Sequence, residues 1–170
     1  MASEEAPSQQ DALARDLAEE VRAACLGMRV ARLHRIVARV YEQALRTVGL
    51  SLPQMEILTT LICATGPVRP TALAGTLMLE RSTVSRNLAL MKKRGWVSDV
   101  ETSPTGRALS VTITDTGVAA FTSASTAWRS AQSTAAATLG SAAAPMLDQW
   151  LDLETEKPGP PKQRGNARPK

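Results

Sequence analysis

Aromatic residues are scarce in this chain of 170 residues, because one Phe, one Tyr and three Trp make up only 3% of it. Sheet proteins draw on aromatic and β-branched residues, whereas Ala and Leu, which are frequent here, favour helices. The length suffices for one compact domain with a core, with or without tails, and argues against two domains. We therefore expect a mainly α-helical protein.

Cysteine and histidine are nearly missing as well. Cys25 and Cys63 lie in separate helix-like segments, so they make no disulfide framework, and with His34 as the one histidine they make no metal cluster. The sequence also lacks a Ser-His-Asp, Cys-His, paired-carboxylate or glycine-rich phosphate motif. We therefore expect no enzyme, no cofactor and no metal site. By default each Cys is a small buried hydrophobe, and we place Cys63 in the core.

No apolar run approaches the roughly 18 residues that a membrane-spanning helix needs. The acidic N-terminal segment has no apolar core of the kind found in signal peptides. We therefore expect a cytoplasmic protein with no membrane partner. A net charge of +4 and a pI near 9.5 suit a protein that binds phosphate groups, although such a charge is a weak indicator by itself.

Helical periodicity organises most of the chain. Apolar positions at every third or fourth residue predict one long amphipathic helix from Asp11 to Val48, which Gly49 ends. Ser51 with Gln54 three residues later is typical of a capping box that begins a second, largely buried helix. There follow two short helices, a two-stranded hairpin, an Ala-rich helix and a final helix. Gly140 separates the Ala-rich helix from the final one.

The segment from Arg81 to Arg94 has two different faces. At about 100° per residue, its apolar stripe is Val84, Leu88 and Met91, and the opposite stripe is Ser82, Arg86, Ala89 and Lys93. For an isolated stretch, a solvated surface helix is the more frequent explanation. Here a short helix and a tight turn precede the segment and a hairpin follows it. That order is typical of a winged helix-turn-helix, whose second helix reads the major groove.

Three segments carry a family resemblance, namely "YEQALRTVGLSLPQMEIL", "PTALAGTLMLERSTVSRNLALMKKRGWV" and "GRALSVTITDTG". They resemble the multiple-antibiotic-resistance regulator (MarR) family over roughly Leu26 to Leu153. The family's recognition helix ends in a Gly-aromatic-Val step, which matches Gly95-Trp96-Val97, and its wing is followed by an apolar-Thr-x-x-Gly step, which matches "ITDTG" at 113–117.

The resemblance implies a homodimer whose N-terminal and C-terminal helices interlock and whose two winged modules read a palindromic operator. It also implies a transcriptional repressor, or less often an activator, that responds to a small phenolic or lipophilic ligand or to oxidants. We therefore predict a mainly α fold with a winged helix-turn-helix lobe and a two-stranded wing over 49–113. A helical dimerisation region should comprise 11–48 and 114–153, with disorder at 1–10 and in the basic tail 154–170.

The predicted duplex contacts lie on both helices of the helix-turn-helix and on the wing. Hydroxyl and guanidinium groups suit base edges, and ammonium groups suit phosphates. The predicted contacts are Thr71, Arg81, Ser82, Thr83, Ser85, Arg86, Lys92, Lys93 and Arg107. Arg107 at the wing tip suits the minor groove, but Thr105 stands where the family's wing usually has an Asp, two residues before the tip Arg.

The residues of a sensor are less distinct. The resemblance implies a ligand crevice between the dimerisation helices and the DNA-binding lobe. The side chains that could line it are His34, Tyr41, Met55 and Trp128, each of which packing also explains. The Arg residues on the first helix form either a solvated or ion-paired face or the site of an anionic ligand, and these are Arg29, Arg32, Arg35 and Arg39.

Cys25 lies near the place where peroxide-sensing members of the family carry a thiol, and Arg22 or Arg29 could favour its thiolate. A packed thiol at the dimer interface is the alternative. Three functions therefore remain open. We favour a repressor that a small apolar or phenolic ligand releases from DNA; the others are a regulator switched by oxidation of Cys25 and a helical protein-interaction module without DNA binding.

Overall fold

The structure, a computed structural model, describes residues 8–101 and 109–155. It is mainly α-helical, as predicted, and divides into two compact units, Met1–Gln132 and Ser133–Lys170. The elements in chain order are α1 (Gln9–Ala24), α2 (Leu26–Arg46), α3 (Leu52–Cys63), α4 (Pro70–Thr76), α5 (Arg81–Lys93), β1 (Val97–Glu101), β2 (Leu109–Ile113), α6 (Asp115–Ser123), α7 (Ser125–Leu139) and α8 (Ala143–Thr155).

The prediction of one helix from Asp11 to Val48 is wrong. Cys25 adopts an extended conformation, with φ −64° and ψ 112°, and separates α1 from α2. Neither proline nor a turn motif marks this break, so periodicity alone could not locate it. The first helix also begins inside the range predicted to be disordered, because Ser8 and Asp11 form a capping box at its start. Residues 1–7 lie outside the described part.

The core of the first unit forms around α3, which is short and largely buried, as predicted. The Ser51–Gln54 capping box begins this helix, and Leu45 of α2 and Ile57 and Leu58 of α3 are fully buried. Burying one such side chain contributes about 1.5–3 kcal/mol. Cys63 does not belong to this core, because it is exposed at the C-terminal end of α3, outside the buried face of that helix. Its assignment to the core is wrong.

A helix-turn-helix follows, made of α4 and α5. Pro70 occupies the first turn of α4, and Leu73 and Ala74 are buried. The turn between the helices contains Met78, whose φ is 51°. In α5 the predicted apolar stripe is the buried one, and it consists of Val84, Leu88 and Met91. The amphipathic pattern therefore set the orientation of α5.

The predicted hairpin is present as the antiparallel pair β1 and β2, with Val97 opposite Ile113 and Glu101 opposite Leu109. A single isolated bridge between Val68 and Val111 pairs the segment before α4 with β2. Apolar and polar residues do not simply alternate between the two faces of β2, because Leu109 is exposed and Ser110 is buried. Arg107 lies outside the described residues, so its predicted role in the minor groove stays a prediction.

The C-terminal helices differ from the prediction in two respects. Ala124 separates α6 from α7, where one Ala-rich helix was expected, and α8 continues to Thr155, two residues beyond the predicted limit. Gly140, with φ 86°, ends α7 as predicted. In the second unit the large apolar side chains of α8 are exposed, namely Met146, Leu147, Trp150 and Leu151. Within the described ranges no helix has the length and apolar character to cross a bilayer.

Candidate nucleic-acid interface

One face of α5 is presented to solvent while the opposite face is held by the core. Most of the predicted duplex contacts that the structure describes are exposed, and Thr83 is half-buried. The exposed ones are Thr71, Arg81, Ser82, Ser85, Arg86, Lys92 and Lys93. Because Val84, Leu88 and Met91 anchor the helix, its polar side chains project from a rigid element rather than from a loop.

Hydrogen bonds along α5 orient two of its polar side chains. The Nε of Arg86 donates to the backbone oxygen of Ser82 at 3.2 Å, and the Nδ2 of Asn87 donates to that of Thr83 at 2.9 Å. Arg86 uses only its Nε in this hydrogen bond, so its two terminal guanidinium nitrogens can donate to a base edge. Two parallel donors are what the O6 and N7 atoms of guanine accept.

The basic C-terminal end of α5 is partly occupied by contacts within the protein. The Nζ of Lys92 forms an ion pair with Oδ1 of Asp99 on β1 at 2.6 Å. Arg94 donates to the backbone oxygen of Gly49, and its guanidinium lies 4.7 Å from the centre of the Trp96 ring. These contacts fasten the end of α5 to the hairpin and to the turn before α3.

The "ITDTG" step joins this lobe to α6. The Oγ1 of Thr114 accepts from the backbone N–H of Gly117 at 3.1 Å, which caps α6, and the same hydroxyl donates to the oxygen of Gly95. The backbone N–H of Thr114 donates to the oxygen of Trp96 at 3.0 Å. Thr114 therefore ties the start of α6 to the segment directly after α5.

An apolar pocket of about 440 Å³ lies in the first unit, between α3 and the chain from α6 into α7. Met55 and Trp128, two of the four predicted ligand residues, line it together. Its other lining residues are Thr59, Phe121, Thr122, Ser125 and Arg129. Sequence reasoning missed Arg129 as a pocket residue, although it is the one charged residue between Asp115 and Asp148 and could have been noticed for that reason.

The other two predicted ligand residues do not line this pocket. His34 is exposed on α2. Tyr41 donates its hydroxyl to the side-chain oxygen of Gln132, and burial raises the pKa of its phenol above the ordinary value. Tyr41 is thus a packed side chain with a partner, which was its alternative explanation.

Cys25 is half-buried and lies beside a small cleft of about 240 Å³ that Leu17, Glu20 and Val21 also line. Arg29, which could have favoured a thiolate, donates instead to the backbone oxygen of Ala23. That bond satisfies a carbonyl at the end of α1. Across residues 8–101 and 109–155, no three or more His, Cys, Asp or Glu side chains form a group that could hold a metal ion.

Comparison with known proteins gives structural relatives only, since neither a family model nor a curated protein matches the sequence. The transcriptional regulator MosR of M. tuberculosis is 25% identical, with a TM-score of 0.65 over 77% of this chain and 94% of its own. Its complex with DNA has a TM-score of 0.63, over 78% of this chain and 98% of that one.

Two further structures extend the comparison. A MarR-family regulator from Rhodococcus sp. RHA1 is 17% identical, with a TM-score of 0.66 over 78% of this chain and 95% of its own. The M. tuberculosis MarR-family protein Rv2887, in complex with salicylic acid, is 23% identical. Its TM-score is 0.58 over 77% of this chain and 96% of its own. The architecture of these structures agrees with the motifs of the sequence. The chain therefore has the winged helix-turn-helix fold of the MarR-family transcriptional regulators.

Proposed function

We propose that the protein is a homodimeric, sequence-specific repressor that reads a palindromic operator with α5 and leaves it when a small apolar or phenolic ligand binds. One observation carries the proposal. The face of α5 that bears Ser82, Arg86 and Lys93 is exposed, while Val84, Leu88 and Met91 hold the opposite face in the core. A rigid helix with short hydroxyls and a guanidinium, set between a tight turn and a hairpin, suits the major groove.

Each polar residue of α5 has a distinct role in this proposal. Arg86 reads guanine with its two terminal nitrogens, while Ser82 and Ser85 bond to base edges or phosphates near the start of the helix. Lys93 neutralises a phosphate at the other end. The complex of MosR with DNA supports a duplex as the partner of this fold.

Exposed apolar side chains support the homodimer. On α1 they recur every four residues, at Leu13, Leu17 and Val21, and this helix has no buried residue. On α8 the exposed apolar side chains include Trp150 and Leu151. Each exposed apolar face marks an interaction surface, and a second copy of the chain presents identical faces. Two linked modules would then reach half-sites about 34–36 Å apart.

The pocket of Met55, Phe121 and Trp128 supports the ligand class. Its walls are mostly apolar and aromatic, and Arg129 adds a cation to the lining, which together suit a small phenolic acid. The complex of Rv2887 with salicylic acid is a related protein bound to such a molecule. The ligand would release DNA by binding more tightly to a conformer whose two modules do not match the spacing of the half-sites. A tenfold preference for that conformer shifts the conformational equilibrium by about 1.4 kcal/mol per site.

The test is duplex binding by four proteins. A selection from a random duplex pool with the wild type yields the operator, and its affinity is then measured for Arg86→Ala, Lys93→Ala and Arg32→Ala. The last variant removes the same charge as Arg86→Ala, but from α2. Arg86→Ala should cost about 1–3 kcal/mol and relax one base position per half-site.

Lys93→Ala should weaken all duplexes alike and lower the salt dependence by about one unit of slope. Arg32→Ala should change neither sequence preference nor slope beyond a small general effect. If the wild type enriched no sequence at all, the protein-interaction module without DNA binding would take the place of this proposal. If Arg86→Ala kept the full base preference, α5 would not be the reading helix.

A further inference from the structure

The turn between α4 and α5 contains an unusual backbone conformation. Met78 has φ 51°, and it is the one non-glycine residue with positive φ in the described ranges. Its N–H donates to the oxygen of Gly75 at 3.3 Å, and the N–H of Leu79 donates to that of Ala74 at 3.0 Å. These two bonds form a Schellman motif with Met78 at the position that glycine usually occupies.

Neither the turn nor the packing explains why this residue is a methionine. The left-handed conformation is unfavourable for any residue with a Cβ, so glycine would stabilise the turn. Burial does not compensate for this cost, because the Met78 side chain is 81% exposed, more than any other large hydrophobic residue in the described ranges. Residues held in such conformations concentrate at functional sites.

The surroundings of Met78 indicate what it could contact. It lines a cleft of about 430 Å³ together with Thr71 and Arg81, two of the predicted duplex contacts. The cleft extends from the first turn of α4 to the first turn of α5. The N-terminal turn of a recognition helix is the part that contacts base edges. An exposed thioether therefore lies beside a hydroxyl and a guanidinium group that are predicted to contact the duplex.

We infer that Met78 is a specificity-determining residue that packs its thioether against the C5-methyl group of a thymine next to the bases read by α5. This inference rests on the proposed function. The thymine methyl is the apolar group that the major groove offers, and a flexible thioether adapts to such a surface. Binding DNA would bury the side chain that the free protein leaves in solvent.

The experiment pairs a protein variant with a base analogue. Wild type and Met78→Gly are titrated with the selected operator, and with copies in which deoxyuridine replaces one thymine at a time, which removes only the methyl group. At one position in each half-site the wild type should lose about fourfold in affinity, the value of one buried methyl group. Met78→Gly should lose at least as much on the normal operator and be indifferent to deoxyuridine at that position.

Thermal melting separates this result from misfolding. Met78→Gly should melt above the wild type, since glycine relieves the left-handed conformation, while Met78→Ala should lose operator affinity without that gain. Equal operator affinity of wild type and Met78→Gly would overturn the inference, and so would an unchanged response to deoxyuridine at every position. Failure of the wild type to select any duplex, or of Arg86→Ala to change base preference, would instead overturn the proposed function.

Discussion

Gly117 lies directly against the backbone of Trp96. A Cβ at Gly117 would overlap the carbonyl oxygen of Trp96 and stand 2.8 Å from Cγ1 of Ile113. The only side chain that fits there is a hydrogen atom. The start of α6 is therefore pressed against the segment that follows α5, so the position of the proposed reading helix depends on this contact.

Gly117→Ala should destabilise the protein by about 1–3 kcal/mol, because backbone atoms must move to admit the methyl group. Gly75→Ala in α4 is the matched control, since its added Cβ meets no atom within 4 Å and its φ is not positive. That change should be neutral or stabilise by up to about 1 kcal/mol. Denaturant unfolding of both variants measures the difference, and equal stabilities would contradict the close contact.

Asp99→Asn should release Lys92 from its ion pair and make it available to phosphates. We expect tighter duplex binding and a salt dependence steeper by up to about one unit of slope. The stability should change by less than about 1 kcal/mol, because more than a third of each side chain is exposed to solvent. Glu101→Gln removes the same charge from the same strand without releasing Lys92. If both variants gave the same slope in a salt titration, the ion pair would not govern Lys92.

Glu56→Gln should raise the stability near pH 7. Burial raises the pKa of the Glu56 carboxyl above its ordinary value of about 4.5, nearby Glu42 raises it further, and His34 opposes the shift. The folded state thus favours the protonated acid, and this stabilisation is complete below pH 4.5 and is lost as the pH rises through the folded-state pKa.

The neutral glutamine avoids that loss, so the gain of Glu56→Gln over the wild type should shrink on acidification. Unfolding measured from pH 7 down to pH 4 checks this trend. Glu19→Gln, on the exposed surface of α1, is the matched control and should stay within about 0.5 kcal/mol of the wild type throughout. A gain that is independent of pH would contradict the role of Glu56 ionisation.

Trp150→Glu should dissociate the proposed homodimer. A buried tryptophan at an interface contributes at least about 2 kcal/mol, so the dimer should weaken by at least about thirtyfold. Gln149→Glu adds a charge to the neighbouring exposed position of α8 and should leave the dimer intact. Sedimentation velocity of the full chains distinguishes them. A wild type that sediments as a monomer when dilute would contradict the dimer itself.

Cys25→Ser should not alter the response of operator binding to mild hydroperoxide. Cys25 is half-buried and Arg29 bonds to a backbone carbonyl instead of the thiol, whereas Cys63 is exposed. Thiol reagents should therefore label Cys63 first, and the comparison is made in a Cys63→Ser background. Peroxide release of that protein, but not of the double variant with Cys25→Ser, would establish the oxidant-sensing alternative.

Local physics determined much of this protein from its sequence alone. The Ser51–Gln54 box, the stop at Gly49 and the stripe of Val84, Leu88 and Met91 depend on neighbours within a few residues, so sequence spacing suffices to predict them. The helix-turn-helix and the strands of the wing follow from the order of such elements, and their exposed face follows from helical periodicity.

Tertiary structure decided what depends on residues that are distant in sequence. The pairing of Lys92 with Asp99 and the meeting of Arg129 with Met55 in one pocket require the chain to fold back on itself. The break at Cys25 carries no proline or turn motif, and Cys63 is exposed because its angular position on α3 falls outside the buried face. Periodicity tells which face of a helix is apolar, but only the packed neighbours decide which residues at its ends are covered.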